Sequence, residues 1–332
     1  MLMQPPPIPL RDRLLAKIKT LNESIWEDRM HQSILWDWLS NFGSSEDPKT
    51  DEQLHALHLL SQFTYFAAAE LRELLRTLYR DLYKYHVVAA LRRKNHDTTD
   101  ATKLDDLFGH ELKVTRFLGI GNPSESGTHL LYYYRQENEL PKSLFINPHE
   151  IFVFGTDGAM RNLRFPNVSR YVFIDDFAGS GNQAIAYSND ILVPLKELKS
   201  DVILEYHVPV ATAAAVNEIE KKTKFDEVRA IFRLDDSFKC FSDQSRYFDG
   251  GKKDNPEIDR NFCCEMVESY GEMIHPSHPL GYDDGQLLLG FHHNTPDNTL
   301  PIIWCDAFRE PSGKSNQWHP VFRRYHKYYK PL

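Results

Sequence analysis

The run Tyr171-Val172-Phe173-Ile174-Asp175-Asp176-Phe177-Ala178-Gly179-Ser180-Gly181-Asn182-Gln183 constrains the fold more than any other part of the chain. Four consecutive apolar residues suit a strand buried on both faces, as in parallel sheets covered by helices. Two adjacent carboxylates then mark the point where that strand leaves the apolar interior. Gly179 and Gly181 allow a tight turn that aims backbone N–H groups inward, and a helix starting near Asn182 adds unpaired N–H groups of its own. The result is an anion cradle beside two carboxylates. Carboxylates repel a phosphate, so they suit hydroxyl groups or a phosphate-bound Mg²⁺. A ligand with a phosphate at one end and a diol or metal at the other fits: a ribose phosphate. The alternative reading is an acidic pair that only binds Mg²⁺ or caps a helix.

The surrounding pattern is that of an α/β sheet. After about Thr99, short apolar runs at 117–120, 144–146, 151–154, 202–204, 228–232 and 286–289 alternate with turn residues. Helix-compatible stretches, 183–192 and 212–222, lie between several of them. Strand and helix in alternation predict a mostly parallel sheet flanked by helices, with ligands at the carboxyl ends of its strands. The first hundred residues read as helix. Leu71, Leu74, Leu75, Leu78 and Leu82 share one helical face, and Glu70, Arg72, Glu73, Arg76 and Arg80 fill the other. Neither Gly nor Pro interrupts 51–96, which predicts one long helix or two closely joined ones. Leu14, Leu15, Ile18, Leu21, Ile25 and Trp26 repeat the spacing earlier, and the polar stretch 41–49 reads as the turn between. The expected division is an α-helical N-terminal region, 1–105, and an α/β domain, 106–332.

Composition narrows the class. With 332 residues, 41% hydrophobic and 26% charged, the chain is neither collagen-like, nor disordered throughout, nor a coiled-coil rod. No apolar run reaches about 18 residues, so no membrane span is expected. The start, Met1-Leu2-Met3-Gln4-Pro5-Pro6-Pro7, lacks the plan of a signal peptide. Cys240, Cys263, Cys264 and Cys305 contain no Cys-x-x-Cys pair, which points to reduced thiols and a cytoplasmic location. A net charge of -8 gives no general pull towards nucleic acid.

The acidic run resembles the phosphoribosyl-diphosphate (PRPP) loop of type I phosphoribosyltransferases: an apolar strand, two acidic residues, two variable positions and a Ser/Thr/Gly-rich turn. In that family the acidic pair binds the ribose hydroxyls and the following loop wraps the 5′-phosphate. The resemblance implies that Asp175 and Asp176 are the catalytic pair at the ribose. It implies that Gly179, Ser180, Gly181, Asn182 and Gln183 hold the phosphate. Gly179 and Gln183 depart from the Ser or Thr usual at those positions. Two further blocks, Phe117-Leu118-Gly119-Ile120-Gly121-Asn122-Pro123-Ser124-Glu125-Ser126-Gly127 and 278–301, resemble a narrower group of phosphoribosyltransferase-like proteins associated with bacterial conflict and phage-defence loci. That resemblance implies a ribose phosphate or nucleotide ligand, Mg²⁺ as cofactor and defence-system protein partners. The activity implied is transfer or cleavage at ribose C1′; the alternative is a non-catalytic module for nucleotide sensing or protein interaction.

Several other segments carry chemistry. Gly119, Gly121, Ser124, Ser126 and Gly127 could hold a second anion, the diphosphate leaving group, with Arg116 as an electrostatic helper; an ordinary turn has the same residues. Ser124 stands where a dinucleotide fingerprint needs its third glycine. His292-His293-Asn294 could bind a metal, a base or a phosphate, or serve a His-Asn-His nuclease. Alternatively these residues, with Thr295, Asn298 and Thr299, hydrogen-bond within the fold. Ser312-Gly313-Lys314-Ser315 imitates a P-loop end, but Phe308 occupies the required earlier glycine. Cys263-Cys264 reads as buried in a helix. The segment 322–330 interleaves basic and aromatic residues, which suits single-stranded nucleic acid, a partner surface or a docked terminus.

Overall fold

The structure, a computed structural model, describes residues 8–121, 126–156, 158, 160–248, 257–309 and 315–324. Helices α1 (Leu10–Ser24), α2 (Gln32–Leu39) and α3 (Glu52–Leu60) precede a short strand, β1 (Thr64–Phe66). Next come α4 (Ala68–Thr77), a π-helical stretch at Leu78–Lys84, α5 (Tyr85–Lys94) and α6 (Ala101–Lys113). Strand β2 (Thr115–Gly119), α7 (Ser126–Glu137), the hairpin β3 (Phe152–Phe154) and β4 (Met160–Leu163), β5 (Arg170–Ile174) and β6 (Phe177–Ala178) follow. Then come α8 (Asn182–Tyr187), α9 (Val193–Leu198), β7 (Ile203–Thr212), α10 (Ala213–Lys222) and β8 (Glu227–Leu234). The chain closes with α11 (Arg260–Ile274), β9 (Leu289–Phe291), α12 (Pro301–Trp304) and the hairpin β10 (Ala307–Arg309) and β11 (Ser315–Gln317). Two compact units result: Met1–Ala68 with Asp235–Leu332, and Ala69–Leu234. Composition divides the chain near residue 105, whereas packing divides it at 68/69 and 234/235. Among the described residues no helix is long and apolar enough to cross a membrane.

The second unit holds the parallel sheet, in the order β2, β5, β7, β8, with every pairing parallel. Alternation sends Val172 and Ile174, with Phe117, to one face, where Leu71, Leu75, Leu78, Tyr83, Leu91 and Tyr134 cover them. Tyr171, Phe173, Leu204, Tyr206 and Val208 pack on the other face against Ala184, Leu195, Ala215 and Ile219. The leucine stripe of the expected N-terminal helix is thus buried on the sheet. Both faces of β5 are covered, which is why Tyr171–Ile174 reads as an unbroken apolar run.

One charged group interrupts the Val172 face. Glu205 of β7 is 2% exposed and ion-pairs with Arg170 of β5 and, at 2.9 Å, with Arg229 of β8. His207 Nε2 lies 3.0 Å from the same carboxylate. Burial opposes the Glu205 charge, yet the His207 hydrogen bond and the two guanidiniums outweigh it and hold its pKa at about 2. A network that joins three neighbouring strands sets their register as well as their charge balance.

The first unit is built on aromatic packing: Trp26, Trp38, Phe42, Phe63 and Phe322 are all nearly inaccessible, and Phe63 stacks on Phe322 at 4.5 Å. Buried His55 pins α3 to the start of α11. Its Nδ1–H donates to the Asp51 carbonyl at 2.8 Å, and its Nε2 accepts from the Asp259 N–H at 3.0 Å. Of the one long helix or two closely joined ones expected over 51–96, two helical runs form, with a short strand between them. Thr64-Tyr65-Phe66 forms β1 and pairs in parallel with Leu289–Phe291, because a β-branched and aromatic run gains more from a strand partner than from a helix. The strand expected from the run at 286–289 onward forms as β9, and it belongs to this pair, not to the main sheet. The run at 144–146 makes only a 3-10 turn and a single bridge, Phe117 to Phe145.

Glu205→Gln takes the shared counter-ion from the part-buried guanidiniums of Arg170 and Arg229, the latter keeping Glu227 at 3.2 Å, and is expected to destabilise by about 2–4 kcal/mol in urea unfolding at neutral pH. The folded pKa is depressed, so this contribution is present above the ordinary carboxylate range and fades only as pH falls towards about 2. A loss below about 1 kcal/mol would show that the network is not structural.

Candidate functional site

The acidic pair sits in a gap between two strand segments. Ile174 pairs with His207, and Phe177 with Val210, so β6 continues β5 along the same edge of β7 with no change of register. Asp175 and Asp176 therefore stand opposite Val208 and Pro209. In a parallel ladder the Asp175 N–H donates to the His207 carbonyl, as observed at 3.1 Å, and the next donor back would be the N–H of residue 209. Proline has none, so the ladder opens at the acidic pair.

The two carboxyl groups are not equivalent. Asp175 is 5% exposed, while Asp176 is half-buried. Asp175 Oδ2 accepts from the hydroxyl of buried Tyr206 at 2.9 Å, and its Oδ1 accepts from the Asp176 N–H at 2.9 Å. Burial, and next the charge of Asp176, push the Asp175 pKa well above the ordinary carboxylate range, against those two hydrogen bonds. Burial, and next the Asp175 carboxyl that it meets, push the Tyr206 pKa up as well.

Beyond the pair, the chain turns at Gly181, whose φ of 79° is left-handed. A Cβ there would lie 2.9 Å from Ile219 Cγ1 and 3.2 Å from the Ala215 carbonyl, so α10 leaves room for hydrogen alone. Thr212, the N-cap of α10, accepts from the Ala215 N–H at 3.0 Å and donates to the Gly179 carbonyl at 2.7 Å. Ser180 is half-buried, and Asn182 and Gln183 are exposed at the start of α8. Gly119 and Gly121 arrive alongside: Gly119 pairs with Ile174, and the Ile120 N–H donates to the Ile174 carbonyl at 3.1 Å. Gly121 has a left-handed φ of 95°. Ser126 and Gly127 open α7, and Ser124 lies outside the described residues.

Other expected groups lie elsewhere. Arg116 turns to the start of β2, donating to the carbonyls of Lys113 at 3.0 Å and Thr115 at 2.8 Å, away from the acidic loop. His292 is held by Glu27 at 2.8 Å and touched by Arg29. Among the described residues no three His, Cys, Asp or Glu side chains gather as metal ligands. Asn298 and Thr299 spend their side chains on the carbonyls of Tyr282 and Leu289, at 2.9 and 2.6 Å, as residues that tie loops together. Cys263 is buried and Cys264 partly so. At the C-terminal segment Phe322 is buried, and Arg324 donates to the Thr295 carbonyl at 2.6 Å. Residues 325–330 and 312–314 lie outside the described residues. Tyr206, Pro209 and Thr212 escape sequence reasoning, because each acts across strands on a loop some thirty residues earlier.

A parallel, helix-covered sheet with an acidic pair, glycine turn and helix start at the carboxyl end of a central strand defines a phosphoribosyltransferase-like protein. The chain belongs to the PRTase-CE family, whose model matches residues 35–324. Solved structures that it is similar to include the following three. Against orotate phosphoribosyltransferase from Aeropyrum pernix it is 12% identical, covering 39% of this chain and 72% of that one, with a TM-score of 0.23. Against the xanthine-guanine-hypoxanthine phosphoribosyltransferase of Helicobacter pylori it is 9% identical, covering 52% and 90%, with a TM-score of 0.26. Against the AQ2163 protein of Aquifex aeolicus it is 12% identical, covering 62% and 85%, with a TM-score of 0.28. No curated protein matches the chain.

Asp175 has a raised folded pKa, so the stability it contributes is present at acid pH and lost as pH climbs through and beyond the ordinary carboxylate range. Relative to Asp175→Asn, the natural protein should therefore lose stability between about pH 4 and neutrality in thermal melts. A difference that stays flat across that span contradicts the burial of this group. Gly181→Ala combines a left-handed residue with a clash on Ile219 and should lower stability by about 1–3 kcal/mol in urea unfolding.

Proposed function

We propose that the second unit binds PRPP or a related ribose phosphate at the acidic loop and acts at ribose C1′. The observation that carries the reading is the opened ladder: a half-buried carboxylate, Asp176, stands at the carboxyl end of a central strand beside a glycine turn that starts a helix. Asp176 meets the ribose hydroxyls with Asp175 behind it, and the backbone of Gly179, Ser180, Gly181 and Asn182, with Gln183, receives the 5′-phosphate. Gly119 and Gly121, on the neighbouring strand end, face a diphosphate. Since no three-ligand cluster exists among the described residues, Mg²⁺ fits only as an ion brought on the ligand's phosphates, with Asp176 as its protein carboxylate. There it would neutralise charge on the leaving oxygens. The Asp176 carboxylate would stabilise positive charge developing at the anomeric carbon, with Asp175 orienting it. A polyanion held this way needs backbone N–H groups and Mg²⁺, which suits a chain of net charge -8. The resemblance of the three sequence blocks supports a place in a bacterial anti-phage system, with defence proteins as partners.

A second reading is a non-catalytic module that senses a nucleotide or binds a protein. It is favoured by Gly179 and Gln183, which lack the hydroxyls of the resembled loop, and by the engagement of Asp175 with Tyr206.

Isothermal titration with PRPP and Mg²⁺ tests the proposal. Saturable one-site binding is expected, weakened at least about tenfold in Asp176→Asn through loss of a charge-assisted contact. No binding, or equal binding by the variant, removes it. Binding without release of diphosphate over a range of acceptor bases favours the sensing module.

A further inference from the structure

Besides its ladder, strand β7 sends two side chains to the acidic loop, and both meet groups that shape the loop. Tyr206 meets the inner oxygen of Asp175 at 2.9 Å from the sheet face that packs on α8, α9 and α10. Thr212 meets the Gly179 carbonyl at 2.7 Å from the end of the strand. Between them stands Pro209, which supplies no ladder N–H. We propose that Tyr206 and Thr212 are positioning residues which set the loop in its ligand-receiving shape before a ligand arrives. Asp175 belongs with them, and Asp176 is the carboxylate that meets the ribose. The inference rests on the proposed ribose-phosphate reading for its binding consequences, but its structural half stands without it.

The Asp175 carboxyl has one oxygen on Tyr206 and one on the Asp176 N–H, so it closes a small ring that orients the peptide carrying Asp176. Swinging Asp175 out to a ribose hydroxyl would strand a buried phenol without its acceptor and empty space in a packed interior. Asp176 is more accessible than Asp175 and reaches a ligand without stranding that phenol. The Thr212 hydroxyl gives its one hydrogen to Gly179 and accepts from Ala215. A carbonyl held back in this way is kept out of the cradle, where its negative end would face the phosphate. Gly181 then lies against Ile219 and Ala215 of the same helix that Thr212 caps, so the turn is gripped from α10 on both sides of Ser180.

Two measurements test this, one on the ligand-free protein and one on binding. In the ligand-free protein, amide hydrogen exchange at Asp176 reads the ring directly. Tyr206→Phe should speed it at least about tenfold, the scale of one lost hydrogen bond, with the fold retained. Unchanged exchange overturns the role of Tyr206 whether or not any ribose phosphate binds. In titrations with PRPP and Mg²⁺, Thr212→Val should weaken binding at least about fivefold, and Thr212→Ser should restore it to within about twofold. Tyr206→Phe, Asp175→Asn and their double variant should all lose affinity to about the same degree, because the pair acts as one unit. Additive losses would make Asp175 a ligand in its own right and overturn the assignment, as would wild-type affinity in Thr212→Val. Absence of binding by the natural protein removes the ribose-phosphate reading alone and leaves the exchange result to decide the inference.

Discussion

A carboxylate buried where a central strand breaks is the constraint on which the second unit depends. Asp175 lies at the end of β5, 5% exposed, and the strand cannot simply continue past it. Pro209 on β7 removes the next ladder donor, the chain opens for two residues, and pairing resumes at Phe177 in the same register. Burying a carboxyl group costs several kcal/mol unless polar partners are supplied. Here they are Tyr206, from the neighbouring strand, and the N–H of the next residue, Asp176. The loop that follows inherits its shape from α10, through Thr212 and the space left at Gly181. Fold and candidate site are in this sense one construction.

The opposite face of the same strand carries a different solution to the same problem. Glu205 and His207 alternate with Tyr206, so three successive residues of β7 send polar groups to both sides of the sheet. On the Glu205 side two arginines from adjacent strands balance the charge, and the carboxylate is kept ionised. On the Tyr206 side only neutral donors are available, and Asp175 is pushed towards its protonated form. Two buried acids a few residues apart across one sheet thus differ in charge because of their partners rather than their depth.

Much of this was legible in the sequence where the signal was local. The run 171–183 announced its strand, its acidic pair and its helix start, and the structure builds them at those positions as β5, the gap and α8. The strands at 117–120 and 228–232 and the helix at 212–222 were readable for the same reason: a short apolar run or a capped amphipathic turn carries its own instruction. What stayed hidden was non-local. Thr64-Tyr65-Phe66 lies inside a stretch without Gly or Pro and looks helical until its partner, 225 positions away at Leu289, is known. Glu205-Tyr206-His207 looks too polar for a central strand, because the arginines and the aspartate that satisfy it come from other elements. The boundary near residue 105 marks a change in local pattern, whereas the units are defined by which helices cover the sheet.

A crystal structure with ribose 5-phosphate and Mg²⁺ tests most directly whether the opened ladder is a ribose-phosphate site presented by Asp176. The expected result has the sugar hydroxyls within hydrogen-bond reach of Asp176, the phosphate on the backbone of Gly179–Asn182, and the Tyr206–Asp175 bond unbroken. A ligand seated elsewhere, or one that draws Asp175 off Tyr206, would contradict it.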